Sequence, residues 1–88
     1  MIEIILAATM TPGEQLADRI GNPQSGAIAL CAMQQGGQPC VQAQFEALAV
    51  VANAVREADE PDAVRLRVIA CIPDRPGPVD WTVVAECL

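Results

Sequence analysis

From Pro39 to Asp59 the apolar positions recur every three or four residues, and the rest of the chain is arranged around that stretch. Val41, Phe45, Leu48, Ala52 and Val55 share one stripe of a helix, with Ala43, Ala47, Val50, Ala54 and Ala58 as a ridge beside it. Only Gln42, Glu46, Asn53, Arg56 and Glu57 remain for a polar strip. A helix so widely apolar needs cover over much of its circumference, from a sheet and from a further element or a second subunit. Its start is open to two readings. Either Pro39 begins the helix, or Gly36 and Gly37 turn a hairpin and Cys40 to Gln44 returns as a strand. Continuation of the stripe through Val41 favours the helix.

Elsewhere a period of two prevails. Ile2, Ile4 and Leu6 alternate with Glu3 and Ile5 in a first strand. Thr11-Pro12-Gly13-Glu14 then has the form of a capping box with proline at the first helical position, predicting a short helix from Pro12 to Ile20 that Gly21 stops. Asn22 to Gly26 is turn-rich and leads into Ala27 to Met33, an unbroken apolar run that fits a central strand covered on both faces. Asp59-Glu60-Pro61-Asp62 ends the long helix. Val64, Leu66, Val68, Ala70 and Ile72 alternate with Arg65 and Arg67. After the Pro73–Pro78 loop, Val79, Trp81, Val83, Ala85 and Cys87 alternate with Asp80, Thr82 and Glu86. Pairing Ile72 with Val79, Ala70 with Trp81, Val68 with Val83 and Arg65 with Glu86 makes one face of this hairpin apolar. The pattern therefore predicts one α/β domain over residues 1–88. It is a two-layer α+β sandwich with a small mixed β-sheet, element order β-α-β-α-β-β, one short and one long helix, and a C-terminal β-hairpin.

Composition narrows the function classes. The chain is 52% hydrophobic, enough for a packed globule, but it holds one Phe, one Trp and no Tyr. A core of alanine and valine buries little area per side chain, so self-association is a natural remedy. Eleven carboxylates stand against five basic residues, giving a net charge of −6 with no histidine. That balance argues against nucleic acid or an anionic membrane as a direct partner, because neither can be neutralised by this surface. It favours a basic protein, although acidity also simply keeps a small protein soluble. The start, MIEIILAAT, carries Glu3 in place of a basic leader region and is too short to span a bilayer. The expected compartment is the cytoplasm, where Cys31, Cys40, Cys71 and Cys87 would be thiols acting as small apolar residues. In an oxidising compartment four cysteines allow three pairings.

Candidate chemistry is sparse. None of the cysteines forms a C-x-x-C pair, and no histidine exists to complete a mixed metal site or to serve as general base. Cys31 and Cys71 fall in apolar runs, where a thiol packs and does not react. Gly21 to Gly26 lacks both the Walker lysine and the dinucleotide glycine order. No catalytic, cofactor or metal residue is assigned. GNPQSGAIAL, QFEALAVVANAV and VRLRVIAC, about half the chain, resemble a strand, the carboxylate-bearing helix and a following strand of ribonuclease H-like domains. The resemblance places Glu46 at the helix carboxylate. It puts Ala7 or Ala8, and Ala70 or Cys71, where that family keeps aspartates, which implies the shape without the metal-dependent activity.

The expectation is a non-enzymatic acidic interaction module: a small inhibitor or adaptor, of the phage-encoded kind, that grips a larger basic and nucleic-acid-binding protein. Its candidate partner-facing residues are Glu57, Asp59, Glu60, Asp62, Asp74 and Asp80. The alternatives are a structural subunit of a homo-oligomer, such as a homodimer, and a small cysteine-dependent enzyme or inactive ribonuclease H-like domain.

Overall fold

Each helix begins on a proline or on a side chain that caps it, or is tied to its neighbour by a disulfide. The computed structural model describes residues 10–74 and 77–88. Five α-helices are α1 (Pro12–Ile20), α2 (Pro23–Met33), α3 (Gly37–Glu57), α4 (Pro61–Cys71) and α5 (Trp81–Cys87). Thr11 caps α1 as its sequence predicts, its hydroxyl accepting from the Glu14 amide at 3.2 Å, and Pro12 fills the first turn. The Asn22 side chain accepts from the Gln24 and Ser25 amides, both at 3.1 Å, so Asn22-Pro23 starts α2 instead of only turning the chain. Pro61 does the same for α4, with Asp62 in the first turn complementing the helix dipole.

The expected α/β sandwich is replaced by an all-helical bundle; no strand occurs among the described residues. Ala27 to Met33, read as a central strand, lies in α2, where burial falls on Ala27 and Cys31, four residues apart. The C-terminal hairpin is two helices. In α4 the buried residues are Val64 and Val68, with Ile72 one turn on, while Leu66 is 48% exposed. A strand would have buried Leu66 beside Val64 and Val68; a helix turns it out. The expected Arg65–Glu86 pairing gives way to an i,i+3 contact between Arg65 and Asp62 at 2.7 Å. The ribonuclease H-like shape falls with the strands. Cys40 to Gln44 is helical, settling the fork at Pro39, and α3 begins at Gly37. The predicted first strand, Ile2 to Ala7, lies outside the described residues.

The long helix is the element that α2, α4 and α5 all pack against, while α1 lies along α4. Its buried residues are Gln44, Ala47 and Val51. They meet Val64, Val68 and Ile72 of the α4 side and Trp81 and Val84 of α5, with Leu16 and Ile20 of α1 packed at the edge. The burial stripe is thus rotated from the expected one, and Phe45 and Val50 remain 39% and 56% exposed.

All four cysteines are oxidised, which corrects the reading of them as packed thiols. Cys31–Cys40 ties α2 to the first turn of α3, and Cys71–Cys87 ties the last residue of α4 to the last of α5. The first bond replaces a cap: Gly36 at the α3 N-cap makes no side-chain hydrogen bond. The turn between α2 and α3 is tight. Gln35 sits at φ 55°, and a Cβ on Gly36 would lie 2.5 Å from the Cys40 Cβ, so glycine is required there.

Cross-links spanning nine and sixteen residues each stabilise a chain by roughly 3 kcal/mol through the entropy of the unfolded state. With so little area per core residue, the bundle depends on them. Reduction is expected to lower Tm by at least about 20 °C, read by far-ultraviolet circular dichroism with and without reductant; coincident melts would refute the dependence.

Candidate functional site

One buried amide organises the most constrained corner of the molecule. Gln44 of α3 is 4% exposed and is the buried polar side chain of the described core. Its Nε2 donates to Asp80 Oδ1 at 2.8 Å, and its Oε1 accepts from the Trp81 amide at 2.8 Å. Asp80 also accepts from the Thr82 amide at 3.1 Å and the Thr82 hydroxyl at 2.6 Å, capping α5. The clamp sets Trp81 against the core, 2% exposed. Burial alone would raise the Asp80 pKa. The hydrogen bonds from the Thr82 hydroxyl, Gln44 and the Thr82 and Val83 amides outweigh it and hold the carboxyl below its ordinary value of 3.8.

Trp81 contributes to the wall of an open apolar cleft of about 460 Å³. Leu16 and Ile20 of α1 form one side, Leu48, Val51, Ala52 and Val55 of α3 the other, and Val68 of α4 lies between. Arg56, Pro61 and Arg65 complete it at the end where α3 passes into α4. Both guanidiniums are engaged locally, Arg65 with Asp62 and Arg56 as donor to the Asn53 side-chain oxygen. Their aliphatic stems therefore extend the apolar wall.

Four of the six carboxylates expected to face a partner gather at this end. Glu57 closes α3, Asp59 and Glu60 form the turn, Asp62 opens α4, and all four are exposed. Asp74 is apart from them, fully exposed, 3.8 Å from Arg19, whose Nη2 also donates to the Pro73 carbonyl at 2.6 Å. Asp80 is committed to its cap. Sequence reasoning missed Gln44 and the cleft walls supplied by α1. Asp80-Trp81-Thr82 carried a legible signal, an acidic residue one position ahead of an apolar start, which is an N-cap pattern.

Among the described residues no cluster of three or more histidine, cysteine or acidic side chains could hold a metal ion, and no helix is long and apolar enough to cross a membrane. Comparison with protein-family models, with characterised proteins and with solved structures finds no match. The site is an apolar trough with Arg56 and Arg65 in the lining of one end and the carboxylates of the α3–α4 turn next to it in the chain.

Removing the cap strands a buried amide. Asp80→Ala is expected to cost about 2–3 kcal/mol, roughly 1 from the cap and the remainder from the unpaired Gln44, measured by urea denaturation. Because the folded pKa is lowered, the ionised cap adds stability above the unfolded value and that contribution is lost as pH falls through the folded one. Asp80→Asn keeps a capping side chain and should flatten the acid limb of the stability–pH curve; an unchanged limb would show that Asp80 carries none of it.

Proposed function

We propose that the protein is a non-enzymatic acidic binding module, an inhibitor or adaptor, that takes the basic, amphipathic helix of a protein partner into the cleft between α1, α3 and α4. The carrying observation is contiguity: the apolar trough runs into the turn that holds Glu57, Asp59, Glu60 and Asp62. Apolar side chains of the incoming helix fill the trough, and its lysines or arginines meet the carboxylates at the end. A volume of about 460 Å³ accommodates a few large aliphatic side chains, not a whole helix, so the partner lies across the surface. The net charge of −6 speeds encounter with a cationic partner and makes it sensitive to salt.

The two cystines support residence where thiols are oxidised. Cytoplasmic residence, the expectation from the sequence, requires the same residues to be thiols in the cell. Trapping with an alkylating reagent during lysis, followed by mass measurement, separates the two: four labelled cysteines mean cytoplasm, none means an oxidising compartment.

Trp81 is the single tryptophan and lines the cleft, so its emission reports occupancy. Titration with a synthetic leucine–lysine amphipathic helical peptide is expected to shift that emission saturably. Affinity should fall as salt rises, and the double variant Glu57→Gln/Glu60→Gln should weaken it by about tenfold. Absence of binding, salt-independent binding, or a cleft that takes a long-chain carboxylate and refuses the peptide would overturn the reading.

A further inference from the structure

We infer that the outer face of the α2–α3 hairpin is a self-association surface, occupied by the same face of a second copy of the chain. Charge is spread unevenly along the chain. No charged side chain occurs between Arg19 and Glu46, so α2, the turn and the first turns of α3 are wholly neutral. The rest of the molecule holds every charge and is strongly acidic. A helix apolar on all sides is normally covered on all sides, yet α2 buries only Ala27 and Cys31. Ile28 is 54% and Met33 72% exposed, and Phe45 on the adjoining part of α3 is 39% exposed.

The neutral face has relief. Two shallow depressions, of about 480 and 470 Å³, lie side by side and share Gln38 and Val41. Ile28 and Ala32 edge the first, Phe45 and Ala49 the second. Knobs and hollows thus occur on one surface, the requirement for a two-fold contact in which each copy supplies both. The surface is also set before contact: Cys31–Cys40 ties together the two helices that carry it and the Asn22 cap fixes the start of α2, so little order remains to be gained on pairing.

Charge selects the occupant. A basic partner is drawn to the four carboxylates at the α3–α4 turn, away from this face, and an anionic lipid surface is repelled by the molecule as a whole. Two copies of a −6 molecule repel each other as wholes, and the uncharged run from Ile20 to Phe45 is where they can approach with the fewest like charges facing. Glu46 ends the neutral run and lines the far side of the second depression, where its carboxylate accepts from the Gln42 side-chain amide at 3.2 Å. This inference is independent of the cleft.

Sedimentation equilibrium of the oxidised protein tests it. At tens of micromolar the mass should be twice 9.3 kDa. Ile28→Glu and Phe45→Glu, each placing a carboxylate on the face, should weaken pairing at least about tenfold. Leu66→Glu, an equally exposed apolar site on α4, should leave it unchanged. Should the face variants lose helicity, hydrogen exchange of the unaltered protein decides: amides of residues 28–45 should gain protection on concentration. A monomer at every concentration, pairing indifferent to both face variants, loss of pairing in Leu66→Glu alone, or protection gained elsewhere would each overturn the proposal.

Discussion

The docking of α5 on α3 through one amide side chain is the constraint on which the rest of the structure depends. A seven-residue helix is too short to persist by backbone hydrogen bonding. Trp81 can be buried only if the chain turns sharply at Asp80, and that turn exposes amides needing acceptors. Gln44 supplies one and Asp80 the other, while Gln44 also donates to Asp80, so three groups satisfy each other in a nearly dry corner. A neutral amide that can donate and accept suits this position; a carboxylate there would face Asp80 as a like charge, and an aliphatic residue would leave the Trp81 amide unpaired.

Around that corner the core is built from small pieces. Apart from Trp81, its buried members are one alanine, four valines and one isoleucine. Their dispersion and burial energy is spread thin, and cross-links take the place that larger side chains hold elsewhere. The placement of the bonds is economical. One joins α2 to the uncapped start of α3, and the other joins the ends of α4 and α5 beyond the Gln44 clamp. Each bond adds a covalent tie between two helices that already pack against each other.

How much of this was legible depends on whether a local signal outlasted its context. Thr11-Pro12 and Asn22-Pro23 are the same device, a capping side chain followed by proline at the first helical position. The first was read as a helix start and the second as a turn, because Ala27 to Met33 carries no polar residue to mark a helical face. In Val64 to Ile72 apolar residues are so dense that periods of two and of four both fit; what separates them is Leu66, which only tertiary packing places outside. The α3 helix and its central place were visible in its spacing, but not its rotation. Gln44 counted as polar in the sequence and turned out to face inward, because its partner, the α5 cap, lies 36 residues away. The acidic turn was visible as a run of carboxylates; the cleft beside it was not, since α1 and α5 complete it from opposite ends of the chain.

The two proposed surfaces share one helix. The 21-residue α3 extends for roughly 30 Å at the α-helical rise, with the neutral face at its start and the acidic cleft toward its end. Occupants at the two places need not touch, and a rigid helix between them leaves each free to act without reshaping the other. Pairing through the neutral ends would carry two acidic clefts on one particle. A partner that repeats its basic helix would then engage both, and the second contact would form at the effective concentration set by the first. Such a gain requires no new contact chemistry. It follows from leaving Gly37 to Phe45 of the longest helix without charge and gathering carboxylates at the turn that follows its end, which is the arrangement this sequence encodes.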